Sequence, residues 1–303
     1  MKLGLLTAPF ADSDLATVAD WTAGAGFEAI EIACWPRVAG ERRRYAGTSH
    51  IDVEGMTRAK ASEVAGHIAG KGLTISALGY YPNPLHPDAD RRAQVIGHLK
   101  KVITAAGLMG VGVVNTFVGG DRALGPDDNW TRAQAIFPDI VAHARDSGVT
   151  LAFENCPMIF SMDEWPGGHN IACSPRIWRR IFEEWPGTGM NYDPSHLVWQ
   201  MIDQSRFIRE FGGRMVHVHA KDLTIDRDGL YERGILSAGI GWQIPRMPGL
   251  GDVNWPGFFA DLYRAGYDGP IIIEHEDRTF EGSDDKIKRG FLLARDVLSP
   301  FVK

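Results

Sequence analysis

Short apolar runs alternate along this chain with longer stretches of helical periodicity. The strand-like runs begin at Leu3 (LGLLTA), Phe27 (FEAIEIAC), Leu73 (LTISALGYY), Val111 (VGVVNTFVGG), Val149 (VTLAFENC), Gly189 (GMNYDPSH), Met215 (MVHVHAKD) and Pro270 (PIIIEHED). Helical candidates fill the gaps, among them 89–107, 131–147, 174–184, 254–266 and 284–298. Strands that alternate with helices form parallel sheets. Eight such units in 303 residues predict an α/β protein of the (β/α)8 TIM-barrel class, with residues 1–303 as one domain. A doubly wound open sheet is the competing arrangement, but no glycine-rich dinucleotide turn follows the first strand.

Three stretches repeat one phrase, a helix end, a glycine, a hydrophobic residue and a strand that ends in Glu: AGAGFEAIEI, ARDSGVTLAFE and YRAGYDGPIIIE. The glycine is the C-cap of each αβ unit. Two connections are long, 155–173 and 223–252, and both follow strands. They are therefore expected on the C-terminal face, where barrel enzymes carry their chemistry.

Composition narrows the class. Hydrophobic residues make up 44%, enough for a large core. The formal charge of −6 argues against a nucleic-acid partner. Cys34, Cys156 and Cys173 are odd in number and form no C-x-x-C pair, which fits a reducing cytoplasm and no structural zinc. The opening residues read as a first strand and not as a signal peptide, and no apolar run has the length to span a bilayer. The expected partner is a small sugar or sugar-derived molecule, with a homo-oligomer open.

Four successive strand ends carry a matching signal: Glu154, Asp193, His219 and Glu274. Side chains at the carboxyl ends of neighbouring barrel strands converge. Two Glu, one Asp and one His form a hard, oxygen-rich set that suits one divalent cation, Mn2+ first, with Mg2+ or Co2+ as alternatives. Period-two alternation separates the charges of PIIIEHEDR: Ile272 and Glu274 point inward, while Ile271, Ile273 and His275 face the helices. Glu276 is a rim candidate, and Asp277 with Arg278 reads as a local ion pair. His219 shares a strand face with His217, which is expected one layer deeper, behind the ligands or in the core. His196 is either a pocket wall that binds a sugar hydroxyl or a surface histidine. Lys221 and Asp222 shape the rim, and Cys156 either faces the site or is an inert buried thiol. Trp35, Tyr80, Tyr81, Trp165, Trp199 and Trp242 are either sugar-stacking platforms or packing.

At these residues the chain resembles the xylose isomerase-like TIM barrel superfamily, which includes sugar phosphate isomerases and epimerases. FEN at Glu154, NYDPSH at Asp193, HVHAKD at His219 and the long phrase PGLGDVNWPGFFADLYRAGYDGPIIIEHED ending at Glu274 carry the resemblance, which covers nearly the whole chain. In the ketose 3-epimerase branch it implies that Glu154, Asp193, His219 and Glu274 hold one divalent metal. It further implies that Glu154 and Glu274 double as acid and base on opposite substrate faces, and that His196 binds substrate. The chain departs from that branch at two positions. Phe160 stands where a second glutamate is expected, and Ile225 where an arginine is expected. Arg227, Arg233 or Arg246 could supply the cation from the long loop. A bulkier substrate than a free ketose is therefore open, such as an inosose, a keto-glycoside or a keto-disaccharide.

The expected function is a divalent-metal-dependent sugar isomerase or epimerase acting by proton abstraction next to a carbonyl, with His196, His217, Lys221, Trp35 and Glu276 among the substrate-binding residues. A lyase or deglycosidase acting by β-elimination shares the first half-reaction. An apurinic-type endonuclease and a metal-free binding barrel are the remaining classes; the acidic balance speaks against the endonuclease.

Overall fold

The computed structural model describes residues 1–37, 47–159, 169–235 and 241–302. Ten strands are present among them: β1 (Lys2–Leu6), β2 (Ala29–Ala33), β3 (Thr74–Gly79), β4 (Val113–Thr116), β5 (Thr150–Glu154), β6 (Gly189–Tyr192), β7 (Met215–Ala220), β8 (Asp222–Ile225), β9 (Gln243–Arg246) and β10 (Pro270–Ile273). The ten α-helices are α1 (Leu15–Gly24), α2 (Arg58–Gly70), α3 (Ala89–Met109), α4 (Pro126–Asp146), α5 (Pro175–Glu184), α6 (Ser195–Trp199), α7 (Gln204–Phe211), α8 (Arg227–Arg233), α9 (Trp255–Arg264) and α10 (Asp284–Leu298). Eight parallel strands close a barrel in the order β1-β10-β7-β6-β5-β4-β3-β2, as expected from the alternating pattern.

Strand alternation divides the core into two zones. Side chains such as Ile30, Ile32, Leu151, Phe153, Ile271 and Ile273 face outward into the large cluster between strands and helices. A smaller cluster, with Leu6, Ala29, Ala33, Phe117 and Ile272, fills the barrel interior. The outward-facing residues meet the apolar faces of the helices, as when Phe153 of β5 packs edge-on against Phe137 of α4 at 5.3 Å. His275 follows the same rule and lies 5.4 Å from Phe291 of α10.

Local signals set the element ends. Helix α4 begins five residues before the expected Thr131, because Pro126 suits a first helical turn and Asp127 and Asp128 favour its positive end. Helix α3 runs past Gly107 and stops at Gly110, which takes the left-handed conformation (φ 73°) that an L side chain resists. Asn254 caps α9 by accepting from the Gly257 amide at 3.2 Å.

The described residues of the second long connection are structured. They include α8 and the antiparallel pair β8–β9, registered from Asp222 opposite Arg246 to Ile225 opposite Gln243. Asp222, expected at the rim, is fully buried and organises the return of the chain. Its carboxylate accepts from the amides of Leu223 (2.9 Å), Gly249 (2.9 Å) and Val253 (3.0 Å) and from the Trp255 indole (2.9 Å). A Cβ at Gly251 would come within 2.3 Å of Asp222 Oδ1 and 2.4 Å of the Leu223 carbonyl oxygen. This packing accounts for the composition of PGLGDVNW. Among the described residues no helix is long and apolar enough to cross a membrane.

Candidate active site

The open end of the barrel holds a cavity of about 610 Å³ counting the open solvent at its mouth. One wall is apolar, with Leu6, Ala8, Ala33, Trp35, Phe117 and Met158; the polar side carries Tyr81, Glu154, Lys221, Glu274 and Glu276. Cys156 lines it as well.

Strand ends deliver the polar groups. Ala152 and Glu154 alternate inward on β5, as do His217 and His219 on β7 and Lys221 just past its end. Asn155, just past β5, locks the neighbouring strand end in both directions: its amide donates to the Asp193 carbonyl (2.8 Å) and its oxygen accepts from the Asp193 amide (2.7 Å). Asn170 donates to the Glu154 and Cys156 carbonyls at 3.0 and 2.8 Å, so the return of the first long connection braces the same strand end.

His219 is the meeting point. Its Nδ1 lies 3.6 Å from Glu154 Oε2 and 3.5 Å from Glu274 Oε2. Ligand atoms of Glu154, His219 and Glu274 all fall within 4.8 Å of one another. Asp193 is buried beside them but stands outside that tight group. Its Oδ2 lies 3.0 Å from Lys221 Nζ and 3.1 Å from His196 Nε2. Lys221, expected at the rim, is instead central: its ammonium group also contacts Glu274 Oε2 at 2.7 Å and Glu276 Oε2 at 3.1 Å. The alternation that carries His217 and His219 inward carries Lys221 inward too.

The remaining expected residues take different positions. Glu276 and Trp35 line the cavity, Trp35 edge-on to Tyr80 at 5.0 Å. His196 is buried beside Lys221, at 3.2 Å, and receives the Trp199 indole N–H at 3.4 Å. His217 does not reach the cavity; it lies one layer down, bonded to Asn191 Oδ1 (2.9 Å) and Ser76 Oγ (3.1 Å). Trp199 and Trp242 pack on each other at 6.0 Å. Asp277 pairs with Arg246 at 3.5 Å and accepts from the Met247 amide at 3.1 Å, so the expected local pair with Arg278 gives way to a long-range one. That pairing also engages Arg246, one of the three candidate loop arginines. Phe160 and Trp165 lie outside the described residues.

One site residue escaped the sequence reading. Glu31, in the middle of β2, is fully buried inside the barrel. Its Oε2 lies 2.7 Å from His219 Nε2, and its Oε1 accepts from the Tyr81 hydroxyl. The sequence held a signal: Ala29 and Ala33 face inward, so the charge between them must as well.

Environment separates the carboxyls. Burial, reinforced by Glu274, pushes Glu154 up to about 7. Burial also opposes ionisation of Glu274, but Lys221 and His219 outweigh it and hold that carboxyl down to about 2. For Glu31, burial is likewise outweighed, chiefly by His219, and the carboxyl stays below its ordinary range. Burial drives His217 down to about 3, so it is neutral at physiological pH.

The residues fit a divalent cation. Among the described residues, His219 Nδ1 and Asp193 Oδ2 are buried polar atoms without a hydrogen bond of good geometry; the first faces Glu154 and Glu274, and the second lies against Lys221 and His196. Carboxylate oxygens and one imidazole nitrogen are a donor set suited to a hard or borderline ion.

The fold matches known proteins. The profile described as xylose isomerase-like TIM barrel matches residues 19–297. The uncharacterized protein YfiH of Bacillus subtilis (strain 168) is 27% identical over 255 residues, covering 76% of this chain and 80% of that protein. The solved structure of D-psicose 3-epimerase with D-tagatose, from Clostridium cellulolyticum H10, superposes with a TM-score of 0.73 at 16% identity over 100% of both chains. The probable 3-DHS dehydratase AsbF of Bacillus anthracis gives a TM-score of 0.72 at 15% identity over 99% of both chains. Identities this low speak for the barrel alone, whereas the profile spans most of the sequence, and on that ground the chain belongs to the xylose isomerase-like TIM barrel family.

Proposed function

We propose that this protein is a metal-dependent isomerase or epimerase of a keto-sugar or related polyol, acting by proton transfer at the carbon next to a carbonyl. The observation that carries the reading is the convergence of Glu154 and Glu274 on one nitrogen of His219, at 3.6 and 3.5 Å, beside the cavity. Glu154, His219 and Glu274, with Asp193 buried beside them, would hold the cation. When bound, that ion would supply Lewis-acid polarisation of the substrate carbonyl. Of the two carboxyls that converge on His219, Glu274 takes the proton and Glu154 gives one back. Lys221 holds Glu274 Oε2 at 2.7 Å and so fixes the orientation of the base. Trp35 and the apolar wall exclude water from the sugar face.

The two aligned solved structures, a sugar epimerase and a dehydratase, agree with a first step shared by epimerisation and elimination. Substrates that bear a leaving group β to the carbanion would turn the same step into a lyase reaction. Plasma emission spectroscopy on the protein purified without chelator tests the metal requirement. One divalent ion per chain is expected, with manganese giving the highest activity after reconstitution. Full activity on a keto-sugar in chain stripped of metal would contradict it.

A further inference from the structure

His219 is held from two sides. Its Nδ1 faces Glu154 and Glu274, while its Nε2 meets Glu31 Oε2 at 2.7 Å. The other polar atoms near Nε2 are Tyr81 Oη at 3.2 Å and Asn191 Nδ2 at 3.3 Å. The Tyr81 hydroxyl donates its proton to Glu31, and Asn191 turns its oxygen to His217, so its amide offers Nε2 only a donor. Glu31 is therefore the acceptor at Nε2. A bare ring nitrogen at that distance from a carboxylate would be repelled, so Nε2 carries a proton.

The barrel is shaped around this carboxylate. A Cβ at Gly79 would come within 2.5 Å of Glu31 Oε1, and glycine there leaves the space open. Glu31 comes from β2, two strands from β10 and three from β5, and Tyr81 lies just past β3.

We propose that Glu31 is a positioning residue for the cation site: it locks the His219 ring with Nε2 protonated and so presents Nδ1 to an ion shared with Glu154 and Glu274. This rests on the metal-dependent reading above. Glu31, His217 and His219 also place ligand atoms within 4.8 Å of one another. An ion among those three would have to displace the bonds that occupy both nitrogens of His217, which favours the role of Glu31 behind the ring over that of a ligand. Carboxylate partners of ligating histidines characteristically set affinity by about 10–100-fold.

The test titrates Mn2+ into metal-free protein and follows the free ion by electron paramagnetic resonance, in wild type, Glu31→Gln and Glu31→Ala. One site is expected in all three. Glu31→Ala should weaken it roughly 10–100-fold, while Glu31→Gln, whose amide oxygen still accepts from Nε2–H, should recover most of that loss. The 15N-histidine spectrum of the Mg2+-loaded protein should show His219 protonated on Nε2 in wild type and in Glu31→Gln. Wild-type affinity in folded Glu31→Ala would overturn the inference, as would a Gln variant that loses the site as completely as Ala. Should the Ala variant fail to fold, absence of the Nε2–H signal in folded Glu31→Gln would overturn it. A wild-type chain that binds no ion would contradict the metal-dependent reading, and is thereby distinguished from failure of the role given to Glu31.

Discussion

Replacing Glu274 by Gln is expected to lower turnover by about 100- to 10,000-fold, the range for loss of a positioned acid–base group. Gln keeps the shape of the side chain but cannot take a proton. The fold should survive, because Lys221 retains Asp193 at 3.0 Å and Glu276 at 3.1 Å. Circular dichroism and the thermal midpoint should therefore match the parent. Glu154→Gln should lose turnover to a similar degree by a different route. With Glu274 intact, proton abstraction continues and the substrate exchanges with solvent without forming product. In Glu274→Gln both exchange and product formation stop. Equal exchange in the two variants would reverse or remove the roles given to the pair.

Asp222→Ala is expected to destabilise the fold by about 3–5 kcal/mol. The carboxylate serves four donors, three backbone amides and the Trp255 indole. Each donor left buried without a partner costs about 1–3 kcal/mol, and partial entry of water keeps the total below the simple sum. The burial that raises the carboxyl's pKa is part of the arrangement, so the site holds its charge only through these bonds. The loss should loosen the β8–β9 pair and the start of α9 first. Urea unfolding measures it as a fall in midpoint; an unchanged midpoint would remove Asp222 as the organiser of this region. Asp222→Asn should lose less, since one oxygen still accepts.

Much of this was legible in the amino-acid order. Eight apolar runs separated by helical periodicity specified the barrel, because alternation on one face and helical spacing between are physical requirements of that fold. PIIIEHED could be divided by period two alone, and the side chains lie as that rule requires, with Ile272 inside and His275 against Phe291. Residues set by contacts between distant segments were not legible. Asp277 is bound to Arg246 because the end of β9 returns beside the segment that follows β10, and no local pattern announces that pairing. The position of Lys221 just after His219 points to the rim, yet the surrounding carboxylates hold it inside. Glu31 reads as the end of its strand, but β2 runs on to Ala33, so it lies mid-strand, away from the ends where barrel chemistry gathers. A charge flanked by small inward-facing residues is the pattern that marks such a position.

Solvent exchange tests the central claim most directly. A panel of keto-sugars, inososes and keto-glycosides is incubated with the Mn2+-loaded enzyme in deuterated water and read by NMR. The account predicts deuterium at a carbon adjacent to the carbonyl of at least one substrate, at a rate that falls at least 100-fold in Glu274→Gln. Product formed without solvent deuterium, or exchange undiminished in that variant, would contradict proton transfer through Glu274.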